Sequence, residues 1–182
     1  MARSTQAGGG KKTMLQHSIQ TEQSATRVRA ATAADMEQLV EMSRLLHAEG
    51  SYRDIPIHEP KLRAFLTHAM TDPGHACFVY EDRGGRLLGF MAGYVAAHFF
   101  SLEKSAYDLF VFVRPERRGS LIAYRLWQAF RAFAQRSNAR TLCFATVAGV
   151  APERTRKFYT GLGMTEVGSI YLETLSAAAP AH

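Results

Sequence analysis

Asp108-Leu109-Phe110-Val111-Phe112-Val113, then Arg114-Pro115-Glu116-Arg117-Arg118-Gly119-Ser120, then Leu121-Ile122-Ala123-Tyr124-Arg125-Leu126-Trp127 read in turn as strand, basic turn and helix. The first run is apolar, β-branched and aromatic, and of strand length. Pro115 stops it, because proline cannot donate to a sheet ladder. Arg117 to Ser120 holds no β-branched residue that would resist a tight turn. Beyond it Ala123, Leu126, Trp127, Phe130, Phe133 and Ala134 recur at helical spacing, with Arg125, Gln128, Arg131 and Gln135 between them. A strand that feeds a small-residue turn into a helix N-terminus builds an anion site, since the first-turn N–H groups are free and the helix dipole favours negative charge. Two arginines at that mouth supply bidentate phosphate donors. The competing reading is a solvated arginine turn between two core elements.

The 182 residues suit one domain with a real core, and 47% hydrophobic with 21% charged residues is ordinary for a globular protein. No apolar stretch approaches the roughly 18 residues of a membrane span, and no secretory h-region is visible, so the expectation is a cytoplasmic protein with no membrane partner. Cys77 and Cys143 sit in apolar strand-like runs and read as buried reduced thiols. Neither has a CxxC partner or a clustered histidine, so no metal site is expected. The net charge of +6 is unevenly placed: +2 over residues 1–26, −2 over 27–113, +8 over 114–157 and −2 over 158–182. That split suits an anionic cofactor beside a cationic substrate. A nucleic-acid partner is not expected, because the aromatics of the basic stretch fall at core spacing and form no stacking platform.

Residues 1–26 read as a disordered basic tail, 27–175 as the domain, and 176–182 as a loose C-terminal tail. Arg27–Ala30 is a first strand. Thr32 caps a helix whose first turn holds Asp35, with Met36, Leu39, Val40, Met42 and Leu46 on its apolar side and Gly50 at its end. A second helix follows Pro60 and stops at Asp72-Pro73-Gly74. Ala76–Tyr80 and Leu87–Phe99 form a hairpin around Asp82-Arg83-Gly84-Gly85. Ser101–Ser105 leads into the central strand. After the central helix come a strand over Ala139–Thr146, a short helix over Glu153–Thr160 and a last strand over Met164–Leu175. The expected class is α/β (α+β), with a mixed, mostly antiparallel sheet flanked by helices in the order β-α-α-β-β-β-α-β-α-β.

With these elements placed, the chain resembles the GNAT N-acetyltransferase superfamily over about residues 27–174. The element order carries the likeness, together with Val113-Arg114-Pro115-Glu116-Arg117-Arg118-Gly119, similar to the family's strand end and pyrophosphate loop, and Lys157-Phe158-Tyr159-Thr160-Gly161-Leu162-Gly163-Met164, similar to its "FYxxLGF" segment. Leu121 stands where the family loop usually has a glycine, and Pro152 lies near where many relatives carry an asparagine that contacts the cofactor. The resemblance implies acetyl-CoA as co-substrate. It assigns cofactor binding to Val111, Phe112 and Val113 and to the loop Arg117, Arg118, Gly119, Ser120, Leu121, Ile122 and Ala123. The implied function is transfer of acetyl to a primary amine of a small molecule or of a peptide or protein, by direct attack. The alternative is a non-catalytic acetyl-CoA sensor or scaffold, for which Leu121 is the support. A homodimer is left open.

Thioester aminolysis needs a neutral amine, a polarised carbonyl, proximity and a proton for the leaving thiolate. The resemblance puts Tyr159 at the proton donor's position. Asp108, Glu103 and His98 are the candidate bases, with no choice among them. Acceptor contacts are expected from the loop Ser51–His58 and from Phe99, Phe100 and Tyr107, with Asp54 and Glu59 adding negative charge.

Overall fold

A computed structural model describes residues 27–145, 149–169, 171 and 173. The two expected tails lie almost wholly outside these residues. Five strands, β1 (Arg27–Ala30), β2 (His75–Glu81), β3 (Leu87–Ala97), β4 (Lys104–Val113) and β5 (Ala139–Cys143), form one sheet in chain order. β1 to β4 pair antiparallel, and β4 with β5 is parallel. Helices α1 (Met36–Glu49), α2 (Glu59–Thr71), α3 (Ile122–Arg136) and α4 (Pro152–Gly161) flank the sheet, with short 3-10 turns at Ala33–Asp35 and Pro115–Arg117.

The sheet is buried on both faces, and the strand sequences show why. Along β2, Cys77 and Val79 point into a core with Leu39, Val40 and Met42 of α1 and Leu66 and Ala69 of α2. The alternate residues Ala76 and Tyr80 join a second core with Ile122, Leu126, Phe130 and Ala134 of α3. The helical spacing in α3 therefore supplies one whole layer. Burial of this kind contributes roughly 25 cal/mol per Å² of apolar surface.

Two polar clusters tie the layers. The Arg29 guanidinium donates to both carboxylate oxygens of Asp35, at 2.7 and 2.8 Å, and its Nε donates to Glu81 at 2.6 Å. Asp35 also accepts from the Thr32 amide at 2.8 Å, so the residue that caps the entry to α1 is pinned to β1 and β2. The Arg29 partner holds the Asp35 carboxyl below the usual carboxylate range. Arg114, which ends the central strand, is buried. It forms a bidentate pair with Glu41 of α1 at 2.8 and 2.9 Å and donates from Nε to the Leu87 carbonyl at 2.7 Å.

Five expectations change. The strand expected over Ala139–Thr146 ends at Cys143, and Phe144 and Ala145 lie outside any regular element. β4 starts at Lys104, so Asp108 sits within the strand rather than at its start. β3 ends at Ala97, two residues early, because His98–Glu103 closes a turn through the His98 amide and Glu103 carbonyl at 2.8 Å. The last strand is not formed over Met164–Ser169, which carries no regular secondary structure, and most of its remainder lies outside the described residues. Cys143 is exposed, since β5 is an edge strand with little covering it; Cys77 is buried as read, and burial pushes its thiol up to about 12.

The pairing of β3 with β4 slips once. Ala92 faces Phe110, but Gly93 faces Asp108, which leaves Leu109 as the extra residue of a bulge. At Gly93 a β-carbon would stand 2.4 Å from the Tyr107 carbonyl oxygen and 2.5 Å from the Phe130 ring, so only glycine lets α3 and β4 approach there. Gly93→Ala is expected to lower stability by about 1–3 kcal/mol through overpacking, read as a reduced urea midpoint.

Candidate active site

The bulge is where β4 and β5 part. β5 follows β4 from Lys104 to Tyr107, where Ser105 Oγ meets Thr141 Oγ1 at 2.7 Å. Beyond Tyr107 the residues Asp108–Val113 have no strand beside them on that edge among the described residues. The diverging chain is held off by Phe144, whose ring packs edge-on against Phe130 at 5.9 Å and against Tyr159 at 5.1 Å. Among the described residues one hydrogen bond bridges the gap: the Ala145 amide donates to Asp108 Oδ1 at 2.9 Å.

The opening is a cavity of about 420 Å³. One wall is β4 from Asp108 to Val113, a second is Arg118, Gly119, Ser120 and Ala123, and a third is Ala145, the turn Gly149–Ala151 and α4. Arg154, Thr155, Phe158 and Tyr159 line it from successive turns of α4, the one-sided spacing a helix imposes.

At the basic end, Gly119 has φ +90, a conformation that favours glycine, and a β-carbon there would lie 3.0 Å from Arg154 Nη2. The amides of Gly119, Leu121, Ala123 and Tyr124 donate to no backbone carbonyl among the described residues, and no acidic residue occupies the first turn of α3. Leu121 directs its side chain outward and is 64% exposed, so it leaves the free amides uncovered. Arg118 is engaged inside the protein. Its guanidinium pairs with Glu49 at 2.7 Å, donates from Nε to the Val113 carbonyl at 3.1 Å, and stands 5.7 Å from the Phe112 ring centre. Arg154 makes no side-chain ion pair among the described residues.

At the other end Asp108 and Tyr159 share the cavity. Loss of water pushes the Asp108 carboxyl up to about 6, against the lowering effect of the Ala145 amide. Burial, and secondly the Asp108 charge, push the Tyr159 phenol upward. One group thus takes a proton near neutral pH while the other keeps its own, which separates a base from an acid.

Of the residues named from sequence, the fold brings together Asp108, Tyr159, Val111, Phe112, Val113, Arg118, Gly119, Ser120 and Ala123. Arg117 is exposed outside the cavity, and Ile122 buries its side chain in the core. Glu103 and His98 lie at the β3–β4 turn. Glu103 is five residues before Asp108, roughly 17 Å along an extended strand, and approaches Arg140 at 3.9 Å. His98 stacks on Phe99 at 4.4 Å. Phe99 and Phe100 are 80% and 84% exposed at the same turn. Glu59 is spent on Arg63 and Arg44. Ser51 packs against Gly149, so the Ser51–His58 loop does begin beside the cavity wall. Arg154, Thr155 and Phe158 were not singled out; the +8 balance of residues 114–157 was the available signal for Arg154.

The sheet order, the bulge and the parted strands define an acetyltransferase fold. The model of the acetyltransferase (GNAT) family matches residues 39–164, and the chain belongs to that family. No curated protein sequence matches the chain at a significant level. Among solved structures, a mutant of the BH1408 protein from Bacillus halodurans superposes with a TM-score of 0.68 at 19% identity, covering 82% of this chain and 99% of that one. Glucosamine-6-phosphate N-acetyltransferase from Arabidopsis thaliana gives 0.63 at 16% identity, with 82% and 97% covered. AAC(6')-Iy, solved with the bisubstrate analogue CoA-S-monomethyl-acetylneamine, gives 0.67 at 15% identity, with 84% and 99% covered.

Because its carboxyl pKa is raised on folding, Asp108 withdraws stability as pH climbs from the unfolded value near 4 through about 6, and the loss is complete above that. Asp108→Asn should therefore melt higher than the parent at pH 8 and match it near pH 4, by calorimetry at both pH values.

Proposed function

We propose that this acetyltransferase takes the acetyl group from acetyl-CoA and transfers it to a primary amine by direct attack. The observation that carries the reading is the cavity at the parted strands, which places a carboxyl of raised pKa and a buried phenol beside unpaired strand backbone.

The basic end suits the cofactor's phosphates. The Gly119 turn, the free amides at the start of α3 and the unpaired Arg154 offer backbone and guanidinium donors to an anion. The unladdered edge of Val111–Val113 suits the amide-bearing arm of the cofactor, and one of its N–H groups would polarise the thioester carbonyl. At the acceptor end Asp108, above a pH of about 6, takes a proton from the ammonium directly or through water. The neutral amine attacks the thioester carbon, forming the C–N bond. As the C–S bond breaks, the Tyr159 phenol gives its proton to the thiolate, and the surplus proton on the newly bonded nitrogen passes, directly or through water, to the phenolate that remains. Burial, which raises the phenol's pKa, keeps that proton in place until it is needed. The outward side chain of Leu121 leaves the loop amides available to the cofactor, so the departure at this position is compatible with acetyl-CoA binding.

Tyr159→Phe removes the transferable proton and keeps the ring packed on Phe144 and Phe158. The maximal rate should fall about 10²-fold or more, with melting temperature and acetyl-CoA affinity nearly unchanged. Turnover at the parental rate would return Tyr159 to a packing role. The pH–rate profile of the parent should rise through about 6, and Asp108→Asn should abolish that limb. Arg154→Ala should weaken acetyl-CoA binding by about 1.5–3 kcal/mol, measured calorimetrically; unchanged affinity would remove this end of the cavity from the cofactor site.

A further inference from the structure

Away from the cavity, where α2 ends and β2 begins, three metal-ligating side chains converge. His68 lies in the last turn of α2, and Asp72 is the extended residue that follows its last turn. Asp72-Pro73-Gly74 then reverses the chain, and His75 opens β2 beside them. One ligand atom from each of the three lies within 4.8 Å of the others. The imidazoles are in edge contact, 4.4 Å between ring centres.

We propose that His68, Asp72 and His75 form a binding site for a divalent transition-metal ion of the zinc type. Two imidazoles and a carboxylate are the donor set that such ions take and that magnesium and calcium do not favour. The groups are held from behind. The Gly74 amide donates to Asp72 Oδ1 at 2.7 Å, and His75 Nδ1 lies 2.9 Å from the same oxygen. Asp72 Oδ2 has no partner among the described residues, which leaves it for an ion. The His75 ring stacks on Tyr94 at 5.6 Å, and the turn is fastened to β3 by the Val95 amide donating to the Gly74 carbonyl at 2.8 Å. Such outer partners orient ligands and are part of what makes a site. His68 is exposed and reaches the ion from the solvent side, so a water completes the fourth position.

The ion would staple the end of α2 to the start of β2. The sequence pattern, His-x3-Asp-x2-His, is split over a helix end, a turn and a strand, which is why a search centred on cysteine spacing passes over it.

The test is zinc chloride alone, titrated calorimetrically into the full chain freed of any affinity tag. One equivalent should bind with micromolar affinity and raise the melting temperature. His68→Ala, and His68→Gln as a second variant at this exposed position, should each weaken binding at least about tenfold and abolish the thermal shift. His47→Ala, on the last turn of α1, should bind zinc like the parent. Absence of parental binding below millimolar zinc, or parental affinity in either His68 variant, would overturn the site.

Discussion

A parallel strand pair that stops early governs this molecule. β5 stays with β4 for four partners and then turns away, and the extra residue Leu109 on β4 marks the place. A strand with one unladdered edge is costly unless something else meets its polar groups. Here the edge from Asp108 to Val113 faces a cavity instead of a neighbour. The divergence is built in by packing. Phe144 lies between Phe130 and Tyr159, and Gly93 allows the helix beneath to press against the bulge. Cavity, free backbone and the position of Tyr159 all follow from this one parting.

The same parting sets the electrostatics. Asp108 is the residue at which the ladder fails, so its carboxyl loses water without gaining a cation. Among the described residues the one donor that crosses the gap is the Ala145 amide, which lowers its pKa less than desolvation raises it. Elsewhere the protein handles acids differently. Asp35, which is buried, faces Arg29 and is held low. The contrast separates a carboxylate that holds the fold from one whose proton is poised near neutral pH.

Most of the fold was legible because its elements carry strong periodic signals. The α3 stripe and the two-sided apolar strands left little room for another architecture, and Thr32, Pro60 and Asp72 marked helix ends correctly. The turn at Arg117–Ser120 and Tyr159 were legible through short motifs tied to element order. The residue proposed as general base was not, because three titratable residues near one strand look alike in sequence. Only the register distinguishes Asp108, inside the parted segment, from Glu103 and His98 at the opposite turn. Arg114 was read as punctuation and proved to be a buried clamp, since nothing local announces that its partners are Glu41 and the Leu87 carbonyl. Long-range pairing of this kind leaves no trace in spacing.

Arg118 illustrates a broader consequence. Its guanidinium is already fastened by Glu49, by the Val113 carbonyl and by the Phe112 ring. A free arginine gives up as much as roughly 2 kcal/mol of rotamer freedom when it is immobilised. Here that entropy is surrendered during folding, so the Arg117–Ser120 turn has its shape before any guest arrives. The acidic end of α1 thereby acts as a built-in template for the loop: a carboxylate of the protein's own holds the guanidinium in the pose that an external anion would otherwise have to impose.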